Sequence, residues 1–183
     1  MRIDPKIEKS TRDMLGHAVR GKFDELADVI ETVGEEPLRE CLVLCLEIAG
    51  YIAIDICGHK WPSKADVREI AQVVAGTDMD FELAESDVYD YLARSALGFE
   101  PLIEVIPDKE KVAGLPILIT ATLLVTYRQH ETDWWDYLNE IEEALEIAAP
   151  LPGNVVPALL LLTRRNRALK ERNSEANPNP QQA

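Results

Sequence analysis

Residues 36–57 read "EPLRECLVLCLEIAGYIAIDIC". Leu38, Cys41, Leu42, Cys45, Leu46, Ala49, Ile52, Ala53 and Ile56 recur at the 3,4 spacing of one helical face. Val43, Leu44, Ile48 and Ile54 lie off that stripe. A helix apolar on most sides must pack on several neighbours, so this stretch is predicted to be the central helix of the fold. Its polar residues Glu40, Glu47, Tyr51 and Asp55 fall close to one narrow line, where the helix is expected to meet water.

Helical periodicity continues outward in both directions, without convincing strand alternation. Upstream, Asp4-Pro5 opens a helix that reaches Arg20, the proline being tolerated at a first helical position. A second spans Phe23–Val33 and ends at Gly34. Downstream, Gly58 stops the central helix. Ser63 and Asp66 then stand at capping-box spacing for a helix to Ala75, which Gly76 ends. The acidic connector "TDMDFELAES" leads to a helix from Ser86 to Leu97. A short helix is expected over Glu100–Ile106, then one from Asp108 to His130 with a start or kink at Pro116. Thr132 is expected to cap a helix to Ala149, and Asn154 a last one to Arg172. The tail 173–183 has no hydrophobic residue beyond alanine and is expected to be disordered. The fold class is therefore all-α: a compact bundle of seven or eight helices, forming one domain over residues 1–172.

Two stretches suggest an internal repeat. Residues 23–30, "FDELADVI", and 99–106, "FEPLIEVI", both fit F-[DE]-x-L-x-[DE]-V-I. At the same offset Leu42 faces Leu118, Ile48 faces Leu124 and Tyr51 faces Tyr127. Shared apolar phase explains Leu facing Leu, but explains less well Phe on Phe and Tyr on Tyr. Units 23–98 and 99–172 are thus expected, with the helix over 5–20 outside them.

The chain of 183 residues holds 33 Asp and Glu against 19 Lys and Arg, a net charge of −14. Residues 163–183 reverse the sign, with Arg164, Arg165, Arg167, Lys170 and Arg172 against Glu171 and Glu175. So acidic a body repels nucleic acid and anionic membrane and attracts basic partners. The longest uncharged run, Val112–Tyr127, falls short of the roughly 20 apolar residues a membrane span needs. The N-terminus has no apolar core, and three cysteines close no disulfide framework, so a reducing cytoplasm is expected.

No catalytic, cofactor or metal pattern stands up to inspection. Cys41, Cys45 and Cys57 are embedded among Leu, Ile and Ala, which reads as core packing. None of His17, His59 and His130 belongs to H-E-x-x-H or follows a glutamate by three. His59 and His130 each follow a long helix, where a cation complements the dipole. A calcium loop counted from Asp78 would need Gly and Glu where Leu83 and Tyr89 stand. Phosphate-binding glycine loops are absent.

The most suggestive surface is the helix "TDWWDYLNEIEEALEIA", residues 132–148. Trp134, Leu138, Ile141, Leu145 and Ala148 make a core stripe. Trp135 lies about 100° away, on the side of Glu142 and Glu146, bordered by Asp136 and Glu143. An aromatic beside carboxylates suits a basic protein partner: tryptophan anchors and the acids steer. The alternative for Trp135 is packing on a neighbouring unit or the tail. The expected function is a non-enzymatic protein-binding module without cofactor, in the manner of an immunity protein, antitoxin or assembly chaperone. Trp135, Asp136, Glu142, Glu143 and Glu146 form its binding face. Two other readings compete. One is a self-assembling structural protein, with homo-oligomer contacts. The other is an enzyme with a site between the halves, drawing on Tyr51, Asp55, Tyr127 or His130.

Overall fold

The computed structural model describes residues 3–97, 109–128 and 133–147. Seven α-helices and no strands occur among these residues: α1 Pro5–Val19, α2 Phe23–Val33, α3 Glu35–Ile56, α4 Lys64–Ala75, α5 Glu85–Leu97, α6 Lys109–Tyr127 and α7 Trp134–Ile147. The short helix expected over 100–106, His130, the last helix over 154–172 and the tail lie outside the described residues.

Local signals set the helix ends. The Asp4 side chain accepts from the Lys6 N–H at 2.7 Å, with Pro5 in the first turn. Ser63 and Asp66 form the expected reciprocal box: the Asp66 N–H donates to Ser63 Oγ at 3.2 Å, and the Ser63 N–H to Asp66 Oδ2 at 2.7 Å. Gly34 ends α2 and also opens α3, at φ 82° and ψ 163°. That region is essentially reserved for glycine, so two helices join through one residue. α3 ends in a Schellman motif. The His59 N–H donates to the Ile54 carbonyl at 2.9 Å and the Gly58 N–H to the Asp55 carbonyl at 3.0 Å. Gly58 (φ 64°) and His59 (φ 62°) are both left-handed there. α7 starts one residue later than a Thr132 cap would place it. Asp133 stands before its first turn, its carbonyl accepting from the Asp136 and Tyr137 N–H groups.

α3 is central, packing most extensively on α6 and also on α5, α1 and α7. Cys41, Cys45, Ile48, Ala49, Ile52 and Ala53 have no exposed surface. A helix apolar on most sides thus becomes the axis of the bundle, as its sequence requires. α1 closes one side against α2 and α6, and α4 pairs with α5. Of the residue pairs at the repeat offset, Ile48 and Leu124 are both fully buried, as are Cys45 and Ala121. Val43 (45% exposed) and Ile119 (0%) are not alike. Pro116 falls inside α6. Among the described residues no helix is long and apolar enough to cross a membrane.

The polar line of α3 does not simply face water. Glu40 is exposed, but Glu47 and Asp55 are half-buried and Tyr51 is buried. Burial pushes the Glu47 carboxyl above its usual range. The physical reason near the end of α3 is α7, which packs on it and supplies a hydroxyl. Tyr137 donates to Asp55 Oδ2 at 2.9 Å.

Candidate functional site

α7 places its residues in two sets. Trp134, Leu138, Ile141 and Leu145 are buried as their spacing predicts, and Tyr137, Ala144 and Glu142 are buried with them. Trp135, Asp136, Asn139, Glu143 and Glu146 are exposed. Residues 133–147 contain six acids and no Lys, Arg or His. Asp136, Glu143 and Glu146 form no ion pair among the described residues.

Trp135 is 38% exposed, yet it is held on two sides. Its ring stands edge-on to Trp134, centroids 5.1 Å apart, a favoured arrangement for aromatic pairs. The Arg12 guanidinium of α1 lies over the Trp135 ring, 5.0 Å from its centroid. Arg12 is fixed in turn. One Nη donates to Asn139 Oδ1 at 2.7 Å, the other is paired with Glu142, and Nε lies 3.3 Å from Glu8 Oε1. A shallow depression of about 290 Å³ opens beside the ring, lined by Pro5, Glu8, Lys9, Arg12, Asp13 and Trp135.

Glu142 corrects the expectation that it joins the exposed acids. It is only 4% exposed, because Arg12 reaches across from α1 and covers the side of α7 on which it stands. Its carboxyl is pushed up to about 7, chiefly by removal from water, with Arg12 opposing the shift. Its Oε1 has no hydrogen-bond partner among the described residues. The other four members of the expected face, Trp135, Asp136, Glu143 and Glu146, share the outer surface of α7. Sequence reasoning missed Arg12 altogether. A lone arginine on an amphipathic first helix carries no signal that its partners lie about 130 residues away.

The groups considered for an enzyme site are partly brought together. Asp55 Oδ1 lies 3.4 Å from His59 Nδ1, while Oδ2 takes the Tyr137 hydroxyl. Burial and the neighbouring Asp55 hold the Tyr137 phenol well above its usual range, so it stays a donor. Tyr127 is half-buried, and its phenol too is raised, by burial and by Glu69. The arrangement can fix and share a proton, but Asp55 is already committed to residues of this chain.

The cysteines are placed as core. Cys41 and Cys45 are fully buried, and the Cys41 thiol donates to the Ile7 carbonyl at 3.8 Å. Burial raises all three thiols, so each is a weaker nucleophile than a free cysteine. Among the described residues no group of three His, Cys, Asp or Glu is placed to hold a metal ion. Compared with known proteins, the chain matches no family model, no curated protein and no solved structure.

Proposed function

We propose that this protein is a non-enzymatic binding module whose outer α7 face docks a basic protein. The observation that carries the reading is the setting of Trp135. A large aromatic ring is 38% exposed but immobilised by Trp134 and Arg12, with Asp136, Glu143 and Glu146 exposed along the same helix. Ordering a side chain at an interface costs about 0.5–1.5 kcal/mol, and a ring already clamped avoids much of that. The acids span roughly 15 Å of helix, enough to steer several cations toward the anchor.

The test is affinity capture from the source cell at low and high salt, using three forms of the protein. Wild type should retain a basic protein at low salt and lose it at high salt. Trp135→Ala and the triple reversal Asp136→Lys, Glu143→Lys, Glu146→Lys should each abolish retention. A matched reversal of the exposed α2 acids, Asp24→Lys, Asp28→Lys, Glu31→Lys, should leave it largely intact. Equal loss in both triple variants would mean that overall charge, not this face, makes the attraction, and the reading would fall.

A further inference from the structure

The depression beside Trp135 is built where two helices meet. Pro5, Glu8, Lys9, Arg12 and Asp13 recur at the 3,4 spacing of one face of α1, and Trp135 of α7 completes the lining. Pockets that enclose small molecules measure roughly 300–1,000 Å³. At about 290 Å³ and shallow, this one suits a single side chain rather than a cofactor. Arg12 lies over the Trp135 ring without closing the depression, so the ring is held still while part of it stays open.

The charges of the lining are not equally available. Arg12 is committed inward, with one Nη on Asn139, the other on Glu142 and Nε beside Glu8. Asp13 and Lys9 are exposed, and neither side chain has a hydrogen bond or ion pair among the described residues. Glu8 is half-buried and lies 3.3 Å from Arg12 Nε. An entering anion would meet the carboxylates of Glu8 and Asp13, with only Lys9 free to hold it. An entering cation would meet two carboxylates and an indole, opposed only by Lys9. The depression therefore selects positive charge, and its Pro5 and Trp135 walls favour an apolar stem behind that charge.

We propose that the depression seats one long basic side chain of the partner, its stem along Pro5 and the Trp135 indole and its charged end between Glu8 and Asp13. This deepens the function proposed above and rests on it, by naming what enters beside the Trp135 anchor. Lysine and arginine both bury an aliphatic stem on apolar surface while the charged head stays at the water. The head gains charge-assisted hydrogen bonds from carboxylates that have few other claims on them. Lys9 competes with the seated cation, because like charges at one site repel. Asp13 and Lys9 thus act on the partner with opposite sign, although they stand four residues apart on one helix face.

The test is titration of the full chain with an oligolysine peptide at low salt, followed by NMR of the tryptophan indole N–H signals. The Trp135 signal, assigned by its loss in Trp135→Phe, should shift on titration. The same peptide with its lysines acetylated should leave it in place; an equal shift would overturn the role of the charged end. Asp13→Asn should weaken binding about 3-fold and Lys9→Gln should strengthen it about as much, the usual size for exposed charge pairs. Asp24→Asn on α2, which makes the same change in net charge as Asp13→Asn, should leave the affinity near wild type. Equal affinities for Asp13→Asn and Asp24→Asn, or no gain in Lys9→Gln, overturn the seat. The α7 reversal Asp136→Lys, Glu143→Lys, Glu146→Lys separates the two proposals. If it abolishes binding while Asp13→Asn and Lys9→Gln change nothing, the partner reading survives and the seat fails. If it leaves binding unchanged while Asp13→Asn and Lys9→Gln act as expected, the seat stands and the α7 face fails.

Discussion

Helix α7 is fastened along two seams that use the same kinds of group in opposite places. Toward α1 it contributes the carboxylate: Glu142 is buried and answered by the Arg12 cation. Toward α3 it contributes the hydroxyl: Tyr137 is buried and donates to Asp55, which keeps about a fifth of its side chain in contact with water. In the first seam the charged acid has lost its water, and in the second it has not. Burial is the larger influence on Glu142, and it lifts that carboxyl to about 7 even with a guanidinium alongside. At the α3 seam burial falls on the phenol, which only becomes harder to ionise and remains a donor. One seam is thus expected to respond to charge and pH through α7's own residue, while in the other α7 contributes only an uncharged phenol donor.

The strongest way to break the comparison is to remove the cation. Arg12→Met keeps much of the aliphatic packing and leaves Glu142 buried without a counter-charge. Breaking a buried pair from one side costs about 3–5 kcal/mol. Denaturant unfolding at pH 8 should show a loss of that size, and a smaller one at pH 5, where the carboxyl is protonated. Replacing both partners, Arg12→Met with Glu142→Leu, should recover much of the loss, because the uncompensated charge has gone. The Trp135 ring also loses the cation over it. The emission of the Trp134–Trp135 pair in a Trp61→Phe background should therefore report greater solvent access.

A second measurement sharpens the difference by titration. The folded-state pKa of Glu142 is raised from 4.5 to about 7, so the folded protein binds this proton more tightly than the unfolded chain. The resulting stabilisation is fully present below about pH 4.5 and is lost as pH rises through about 7. Wild-type stability should fall between pH 5 and 8 by on the order of 2 kcal/mol from this group. Glu142→Gln mimics the protonated acid and should flatten that part of the slope. Glu47 is also raised by burial and leaves a residual slope of the same sign. Parallel wild-type and variant curves would show that Arg12 keeps Glu142 ionised throughout.

What the sequence makes legible follows from how local each signal is. The central helix is readable because its 22 residues carry apolar side chains on most sides, and no partner need be known to see that. The Ser63–Asp66 box and the glycines at 34 and 58 are readable because their chemistry closes within a few residues. The core stripe of α7 is legible for the same reason. Both seams are not. Glu142 and Trp135 stand seven residues apart on nearly one line of the helix, so periodicity assigns them a common exposure. Only the arrival of Arg12 buries one and props up the other. Likewise Tyr51 and Asp55 look like a waterline until α7 is laid against it. Contacts between residues about 80 or 130 positions apart leave no pattern in a single sequence, and the candidate site is made of such contacts.

The smallest expected effect tests the α3 seam. Tyr137→Phe removes one hydroxyl and keeps the ring that packs in the core. Asp55 loses a donor but stays partly solvated and beside His59, so water can replace the hydroxyl. The net loss should be about 1 kcal/mol, the usual size for a hydrogen bond whose acceptor is not stranded. The contrast with Arg12→Met then depends on burial of the acid, not on the number of bonds broken. A check is available in the same variant. If Asp55 takes up the exchange with water, the Tyr137→Phe loss should be nearly the same at pH 7 and pH 8. The Arg12→Met loss should still be growing over that interval, as the remaining protonated Glu142 ionises. A Tyr137→Phe loss of 3 kcal/mol or more by the same denaturant assay would mean that Asp55 is as dry as Glu142. The two seams would then differ only in which helix carries the acid.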